Sequence, residues 1–294
     1  ALIHDCALAK NPDGAGWCAC KMLQVGILPN TVTFNSVMDA CAKACDLAAA
    51  NRWWDHMTSL GLEPNDITYN TMINACARAH EATLAEEWMQ QMIDASVSPG
   101  VVSFSSVIDA FAKIGNLKKA EMWFHRSRGA GITPDAVFYN SLIHACAKAG
   151  EPRKAESWLL QMQVHGLSAD EKTFNSIINA CAKAGDLEGA ERWFQRMEGA
   201  GCHVDKITFG SVIHAAARVG NVARAEHWME EMARRGSAPN LVCFNTVLNA
   251  CANSGDVDSS TKWYHKLMSA GMKPNKITHN SRIHVLSNTA DRGA

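Results

Sequence analysis

The sequence lacks the features that mark several broad classes of protein. No apolar run approaches the roughly 18 residues that a membrane span needs, so we expect no membrane insertion. The net charge of the 294 residues is only −1, which argues against binding to nucleic acid through bulk charge. Because 47% of the residues are hydrophobic, the chain can bury a core and general disorder is excluded.

Motifs of catalysis are also missing from the sequence. It contains no His-Glu-x-x-His, no glycine-rich phosphate loop, no serine-centred elbow and no zinc-deaminase signature. The histidines His4, His144, His214 and His284 are spaced far apart, and we expect them at solvated or groove-lining positions of helices. The sequence therefore predicts no enzymatic activity, no cofactor and no metal site.

The 11 cysteines do not form a disulfide or metal pattern, because most of them recur at one fixed interval. Residues a whole repeat apart cannot share an ion, so we expect small buried side chains on helices and a reducing compartment. The recurring cysteines are Cys6, Cys41, Cys76, Cys146, Cys181 and Cys251.

The chain is instead built from a repeat of 35 residues with no insertion or deletion. A motif such as Phe34-Asn35-Ser36 returns at every step. We number the positions of each repeat from 1 to 35. The predicted repeats are a partial one at 1–30, full ones at 31–65, 66–100, 101–135, 136–170, 171–205, 206–240 and 241–275, and a partial one at 276–294, which together make a single array.

Each repeat predicts two helices, which we call helix A and helix B. Apolar residues at positions 4, 7, 8 and 11, as in Phe174, Ile177, Ile178 and Cys181, lie on one face of helix A. Glycine near position 15 predicts its end, and glycine at position 31 with proline at position 34 predicts the end of helix B. Because one hairpin cannot bury its apolar face alone, we predict an all-α fold, an α-solenoid superhelix of stacked helix-turn-helix repeats.

Tryptophan recurs at position 23 of helix B, from Trp53 to Trp263. Aromatic rings can stack on bases, but these share a face with small and apolar residues, so packing is the favoured interpretation. Glutamates at position 21 and cations at position 13 lie on different helices, which predicts a basic groove and an acidic outer side. The glutamates are Glu86, Glu121, Glu156, Glu191 and Glu226.

These motifs together resemble the pentatricopeptide repeat family in its plain 35-residue class. The resemblance is carried by openings such as Ile67-Thr68-Tyr69-Asn70-Thr71, by the Ala-Cys-Ala-Lys-Ala-Gly turns at 145–150 and 180–185, by the Ala-Glu-x-Trp stretch and by the Gly-x-x-Pro-Asn/Asp close. It extends over the whole chain. It implies sequence-specific binding of single-stranded RNA, with one base for each repeat.

The resemblance also assigns roles to individual positions. The side chains at positions 5 and 35 would read the base, where Gly100 and Gly210 depart from the family pattern. The implied order is pyrimidine (C favoured), an uncertain pyrimidine, G, U, U, an uncertain A, then C or U, from 5′ to 3′. The pairs are Asn35 with Asn65, Asn70 with Gly100, Ser105 with Asp135, Asn140 with Asp170, Asn175 with Asp205, Gly210 with Asn240, and Asn245 with Asn275.

Two further positions are implied to contact the RNA. Position 2 would sandwich the base through Val32, Ile67, Val102, Val137, Ile207 and Val242, although ordinary packing is an equal alternative and Lys172 departs from the pattern. Position 13 would contact phosphates, although a cation at a helix end also suits the helix dipole. These cations are Lys43, Arg78, Lys113, Lys148, Lys183 and Arg218.

Three functions remain open from the sequence. The first is RNA binding in the processing, stabilisation or translation of organelle transcripts, in a mitochondrion or plastid by resemblance. The second is a scaffold subunit of a large organellar assembly, with protein partners in the groove. The third is an enzyme whose catalytic domain lies outside this sequence, which we expect to be part of a longer protein.

Overall fold

The computed structural model describes residues 2–290, and within this range it contains 17 α-helices and no strand. Each full repeat supplies one helix A and one helix B of 13 or 14 residues, which confirms the all-α fold of stacked helical hairpins. The helices are α1 Leu2–Leu8, α2 Pro12–Gln24, α3 Thr31–Lys43, α4 Leu47–Ser59, α5 Asp66–Arg78, α6 Ala82–Asp94, α7 Val101–Lys113, α8 Leu117–Gly129, α9 Ala136–Ala149, α10 Pro152–Val164, α11 Glu171–Ala184, α12 Leu187–Gly199, α13 Lys206–Arg218, α14 Val222–Arg234, α15 Leu241–Ser254, α16 Val257–Ser269 and α17 Lys276–Ala290.

The chain divides into two compact units, Ala1–Ala145 and Cys146–Ala294. In the first unit the A helices α3, α5 and α7 pack side by side, and each packs on its own B helix, α4, α6 or α8. In the second unit α11, α13, α15 and α17 form the same row of A helices, and α12, α14 and α16 are their partners. Each unit is therefore a stack of hairpins in which neighbouring repeats bury one another's apolar faces.

The periodic apolar positions form the core of both units. Phe34, Met38 and Cys41 of α3 pack with Met57 of α4 and Met72 of α5 in the first unit. In the second unit Ile177, Ile178 and Cys181 have no exposed surface. The recurring cysteines other than the half-buried Cys6 are buried, and Trp123, Trp193, Trp228 and Trp263 are each at most 6% exposed. The predictions of buried thiols and of packed tryptophans are therefore confirmed.

The predicted helix ends are also confirmed. Gly185 ends α11 with a φ of 76°, a left-handed conformation in which glycine has no Cβ to clash. Three repeats hold a side chain at this position, and Lys10, Cys45 and His80 still adopt positive φ values of 54°, 60° and 62°. None of the helices among residues 2–290 is long and apolar enough to cross a bilayer.

Candidate nucleic-acid interface

Position 35 lies outside helix B and forms the N-cap of the next helix A. The Oδ1 atom of Asp205 accepts hydrogen bonds from the backbone N–H groups of Ile207 and Thr208, both at 2.9 Å, at the start of α13. Asn65 caps α5 in the same way through Thr68, at 3.0 Å. These bonds satisfy N–H groups that a helix start leaves without an intrahelical partner. The further caps of this kind are Asn30, Asp135, Asp170, Asn240 and Asn275.

The two predicted base-reading side chains of one repeat meet, because helix A of the next repeat packs beside helix A of its own. The Nδ2 atom of Asn35 lies 3.4 Å from the Oδ1 atom of Asn65, and Asn245 and Asn275 make the same contact at 3.3 Å. Thirty residues separate the members of each pair in the sequence. One predicted pair in each unit is thus brought together.

In the second unit the meeting point opens into a groove of about 430 Å³, within the ~300–1,000 Å³ range of small-molecule pockets. The predicted reading pair Asn245 and Asn275 lines it together with the aliphatic side chains of Val242 and Ile277. His214 and Asn249, which share position 9, also line it. His214 thus lies at a groove-lining position, which was one of the two expectations for it. Thr246 and Ser281 of position 6 also line the groove. The family pattern did not assign position 6 to the interface, and its spacing of four residues from position 2 along one helix face is the signal that could have placed it there.

The aliphatic residues at position 2 are exposed, although isoleucine and valine usually lie inside proteins. Val32 and Val242 are each 68% exposed. The alternative interpretation of these residues as ordinary packing is therefore wrong. The row also includes Ile67, Val102, Val137, Ile207 and Ile277, all more than half exposed. Lys172 occupies the same position with its side chain exposed.

Position 5 presents polar atoms whose hydrogen-bonding capacity is not used up by the protein. The amide oxygens of Asn35 and Asn70 are buried and have no hydrogen-bond partner within residues 2–290. An unsatisfied buried acceptor costs about 1–3 kcal/mol, which a donor from a ligand would offset. The hydroxyl of Ser105 donates to the backbone oxygen of Val102 at 3.1 Å, so its lone pairs remain as acceptors.

The two glycines in the predicted pairs leave open space. A Cβ added at Gly100 or Gly210 would meet no heavy atom within 4 Å. Gly100 also begins α7 without a side-chain cap. These two repeats therefore lack one half of the polar pair that the other repeats present.

The cations at position 13 take part in local bonds at the C-terminal ends of A helices. The Nζ atom of Lys113 lies 3.3 Å from the backbone oxygen of Ala77, and Lys183 makes the same contact with Lys148. Asn253 reaches the oxygen of Ala217 from this position with a neutral amide. The helix-end role considered for these residues is therefore present for two of the cations.

The outer helices carry a contact that the sequence pattern did not indicate. The indole Nε1 of Trp228 donates to Glu191 of the preceding repeat at 2.8 Å, and the Nε of Arg224 donates to the same carboxylate at 2.8 Å. Burial works to raise the pKa of Glu191, but these two hydrogen bonds outweigh it and hold the pKa below its usual value. The same indole-to-glutamate bond joins Trp123 to Glu86, Trp193 to Glu156 and Trp263 to Glu226. The glutamates of position 21 therefore join neighbouring repeats.

Within residues 2–290, no three His, Cys, Asp or Glu side chains are grouped as a metal site requires. Burial raises the pKa of the Cys76 and Cys181 thiols to about 12, which makes them inert rather than nucleophilic.

Comparisons with known proteins agree with the repeat fold. A profile of the PPR repeat family matches residues 29–78, 67–113, 134–183, 170–218, 207–253 and 239–288, and a profile of the pentatricopeptide repeat domain matches residues 1–44 and 101–149. A search of curated proteins finds no match.

Among solved structures, the chain is similar to the pentatricopeptide repeat protein PPR10 in complex with an 18-nucleotide psaJ RNA element. Two crystal structures of this complex, one of a triple cysteine-to-serine variant, have 19% sequence identity and a TM-score of 0.56, and the match covers 98% of this chain and 52% of that chain. A crystal structure of PPR10 from maize has 19% identity and a TM-score of 0.42, with 97% and 55% covered. The chain thus spans about half the length of these proteins, and at this identity the likeness shows the fold. Because the family profiles match well over half of its residues, the chain belongs to the pentatricopeptide repeat family.

Proposed function

We propose that the chain binds single-stranded RNA and reads one base with each repeat. The observation that carries this proposal is the groove in the second unit, where the contacting amides of Asn245 and Asn275 share the lining with Val242 and Ile277. Aliphatic walls suit the flat faces of a base, and paired amides suit its hydrogen-bonding edge. The PPR10 structures support the proposal, because they are complexes of a family member with RNA.

The helix cap gives a physical basis for the choice between bases. In Asp205 one carboxylate oxygen, Oδ1, takes all the capping bonds, which leaves Oδ2 as a free acceptor. A uracil has an N–H donor at N3 that fits this acceptor. In Asn275 the capping oxygen is also Oδ1, which leaves the Nδ2 donor for the N3 acceptor of a cytosine. Because the cap fixes which atom faces the groove, Asp favours U and Asn favours C at the last position.

Further parts of the proposal rest on the family resemblance. We propose that residues 1–294 form a single array that reads the order given above, 5′ to 3′, with its second and sixth letters weakened by Gly100 and Gly210. The proposed setting is an organelle, where the protein acts in RNA processing, stabilisation or translation. The chain itself is proposed to act by binding rather than by catalysis.

A specificity switch at the fifth full repeat tests the proposal. Asn175→Ser converts its pair with Asp205 into the Ser–Asp pair that the third repeat holds, so the preferred base should change from U to G. Thr208 donates to Asn175 at 2.7 Å but also lies 2.9 Å from Asp205, so its hydroxyl keeps a partner in the variant. Fluorescence anisotropy with RNAs that differ only at this letter measures the preference.

The control for this switch is Asn51→Ser, the same exchange at an exposed position of helix α4. It should leave every preference unchanged. An Asn175→Ser protein that folds, binds RNA and still prefers U would overturn the reading of bases. If the unaltered protein binds no RNA and instead purifies with a stoichiometric protein partner, the scaffold function replaces RNA binding.

A further inference from the structure

The cations of position 13 do not have the same surroundings in the two units. In the first unit the Nζ atoms of Lys43 and Lys113 lie 2.7 Å from carboxylate oxygens of Asp39 and Asp109, four residues earlier on the same helix. Those aspartates occupy position 9, on the face that lines the groove. Each of these two repeats therefore presents a neutral pair to a ligand in the groove rather than a cation.

In the second unit position 9 holds no carboxylate. The residue four positions before Lys183 is Asn179, and the residue four positions before Arg218 is His214. Among residues 2–290, none of Lys148, Lys183 and Arg218 forms an ion pair with a carboxylate. Burial and the neighbouring ammonium group of Lys148 lower the pKa of Lys183. Lys148 and Lys183 are thus close enough to repel one another, and an anion placed between them would relieve that repulsion.

Position 2 adds to the difference between the units. The only described repeat that replaces its aliphatic side chain with a cation at this position is the one at 171–205, where Lys172 is exposed. In the first unit Val32, Ile67 and Val102 hold this position. The second unit therefore has an additional charge beside its groove.

We propose that the phosphates of a bound single-stranded RNA are held mainly by the second unit, through Lys148, Lys183 and Arg218. The first unit contacts the bases instead, because Lys43 and Lys113 are neutralised by their aspartates and Arg78 is the remaining position-13 cation of that unit. We call these three position-13 residues of the first unit the neutralised stripe. This inference rests on the proposed function. It assigns the salt-dependent part of the affinity to one half of the chain and leaves base preference to both halves.

The test measures how affinity depends on salt in variants that change charge alone. Asn253 shows that a neutral amide at position 13 still reaches the carbonyl of the preceding A helix, so Lys→Gln and Arg→Gln exchanges keep the helix-end contact. The second-unit variant is Lys148→Gln, Lys183→Gln and Arg218→Gln together. The first-unit variant replaces both members of each ion pair, Lys43→Gln with Asp39→Asn and Lys113→Gln with Asp109→Asn, so that no unpaired carboxylate is left in the groove. Circular dichroism melting checks that both fold as the unaltered protein does.

For single strands the slope of log affinity against log salt is about −0.7 for each phosphate neutralised. The slope of the second-unit variant should therefore be shallower than that of the unaltered protein by about 2. The slope of the first-unit variant should be almost the same as that of the unaltered protein. Asp39→Asn with Asp109→Asn releases Lys43 and Lys113, and should steepen the slope by up to about 1.4.

The outcomes separate the two proposals. If the unaltered protein binds no RNA under low salt, the proposed function fails and this inference fails with it. RNA could bind with the expected base preferences while both glutamine variants flatten the slope in proportion to the number of cations they remove. In that case the proposed function stands, and the assignment of phosphate binding mainly to the second unit is wrong. An unchanged slope in the Asp39→Asn, Asp109→Asn protein also contradicts the neutralised stripe.

Discussion

At the scale of the residue, the side chain at position 35 serves both the fold and the proposed reading of RNA. Asp205 caps α13 through two backbone N–H groups and is linked by the hydroxyl of Thr208 to Asn175, its partner in the proposed reading pair. A substitution there can therefore weaken binding for two different reasons. The two reasons can be separated by choosing a substitution that keeps the cap.

Asp205→Asn keeps an Oδ1 atom for the cap and exchanges a free acceptor for a free donor. We expect the free energy of unfolding to change by less than about 0.5 kcal/mol and the preferred fifth base to shift from U towards C. Asp205→Ala removes the cap, which should cost about 0.5–2 kcal/mol and abolish the preference. Urea unfolding and RNA competition measure the two effects, and equal destabilisation by both variants would contradict the capping role.

At the scale of the element, the turn after helix A requires a left-handed residue in every full repeat. Glycine meets this requirement in five repeats, from Gly115 to Gly255, but Cys45 and His80 meet it with a side chain. A non-glycine residue in this conformation is strained by about 1–2 kcal/mol. The first unit thus carries strain at turns where the second unit has glycine.

His80→Gly removes this strain, although glycine also increases the entropy of the unfolded chain. The net gain in the free energy of unfolding should be about 0.5–1 kcal/mol, visible as a higher melting temperature. Gly185→Ala is the matched control and should lose about 1 kcal/mol or more, since it introduces the strain at an equivalent turn. A His80→Gly protein less stable than the unaltered one would contradict the assignment of strain.

The same elements show what sequence reasoning could and could not predict. Helix ends at Gly185 and the burial of Cys181 follow from spacing within one repeat, so both were predictable. The bond from Trp228 to Glu191 was not, because it joins different repeats and depends on how far one hairpin is rotated against the next. The cap by Asp205 could have been found from an Asp three residues before Thr208 at a helix start, a pattern close to a capping box.

In the candidate site, too, some features were predictable from the sequence and others were not. Family resemblance paired Asn245 with Asn275 across thirty residues, which no rule of local spacing supplies. The pairing of Lys43 with Asp39 follows from an interval of four residues on a helix, but its effect on the groove needed the knowledge of which face lines that groove. Charge counts along the sequence therefore described the array only as an average.

At the scale of the whole molecule, a net charge of −1 conceals groups that can respond to pH. Desolvation in the groove and the neighbouring Arg218 and Lys183 lower the pKa of His214, so it is neutral at pH 7. The facing positions on α15, Asn245 and Asn249, carry no charge. A phosphate bound nearby would favour the imidazolium, and binding would then take up a proton.

We therefore expect RNA affinity to rise as the pH falls from 7.5 to about 5.5, because a bound phosphate would make His214 hold a proton more strongly than it does in the RNA-free protein. The free energy of unfolding of the RNA-free protein should instead fall as the pH falls, because a histidine with a lowered pKa binds protons less readily in the folded chain than in the unfolded one. His214→Asn, which copies the residue at this position in Asn249, should flatten the pH dependence of affinity. Titration of binding at several pH values checks this, and a profile unchanged by the variant would sink the assignment to His214.

The helix cap at position 35 also limits how such an array can change during evolution. The residues that cap helix starts well are Asn, Asp, Ser, Thr and Gly, and every described repeat boundary here holds Asn, Asp or Gly. Under the proposed reading of bases, a mutation to a residue outside these five would lose an RNA letter and weaken a hairpin in the same step, whereas an exchange of Asp for Asn would rewrite the letter at little structural cost. Under the same proposal, new target sequences are most accessible through exchanges between pyrimidines, and the set of bases that the array can read is limited in part by the needs of its own helices.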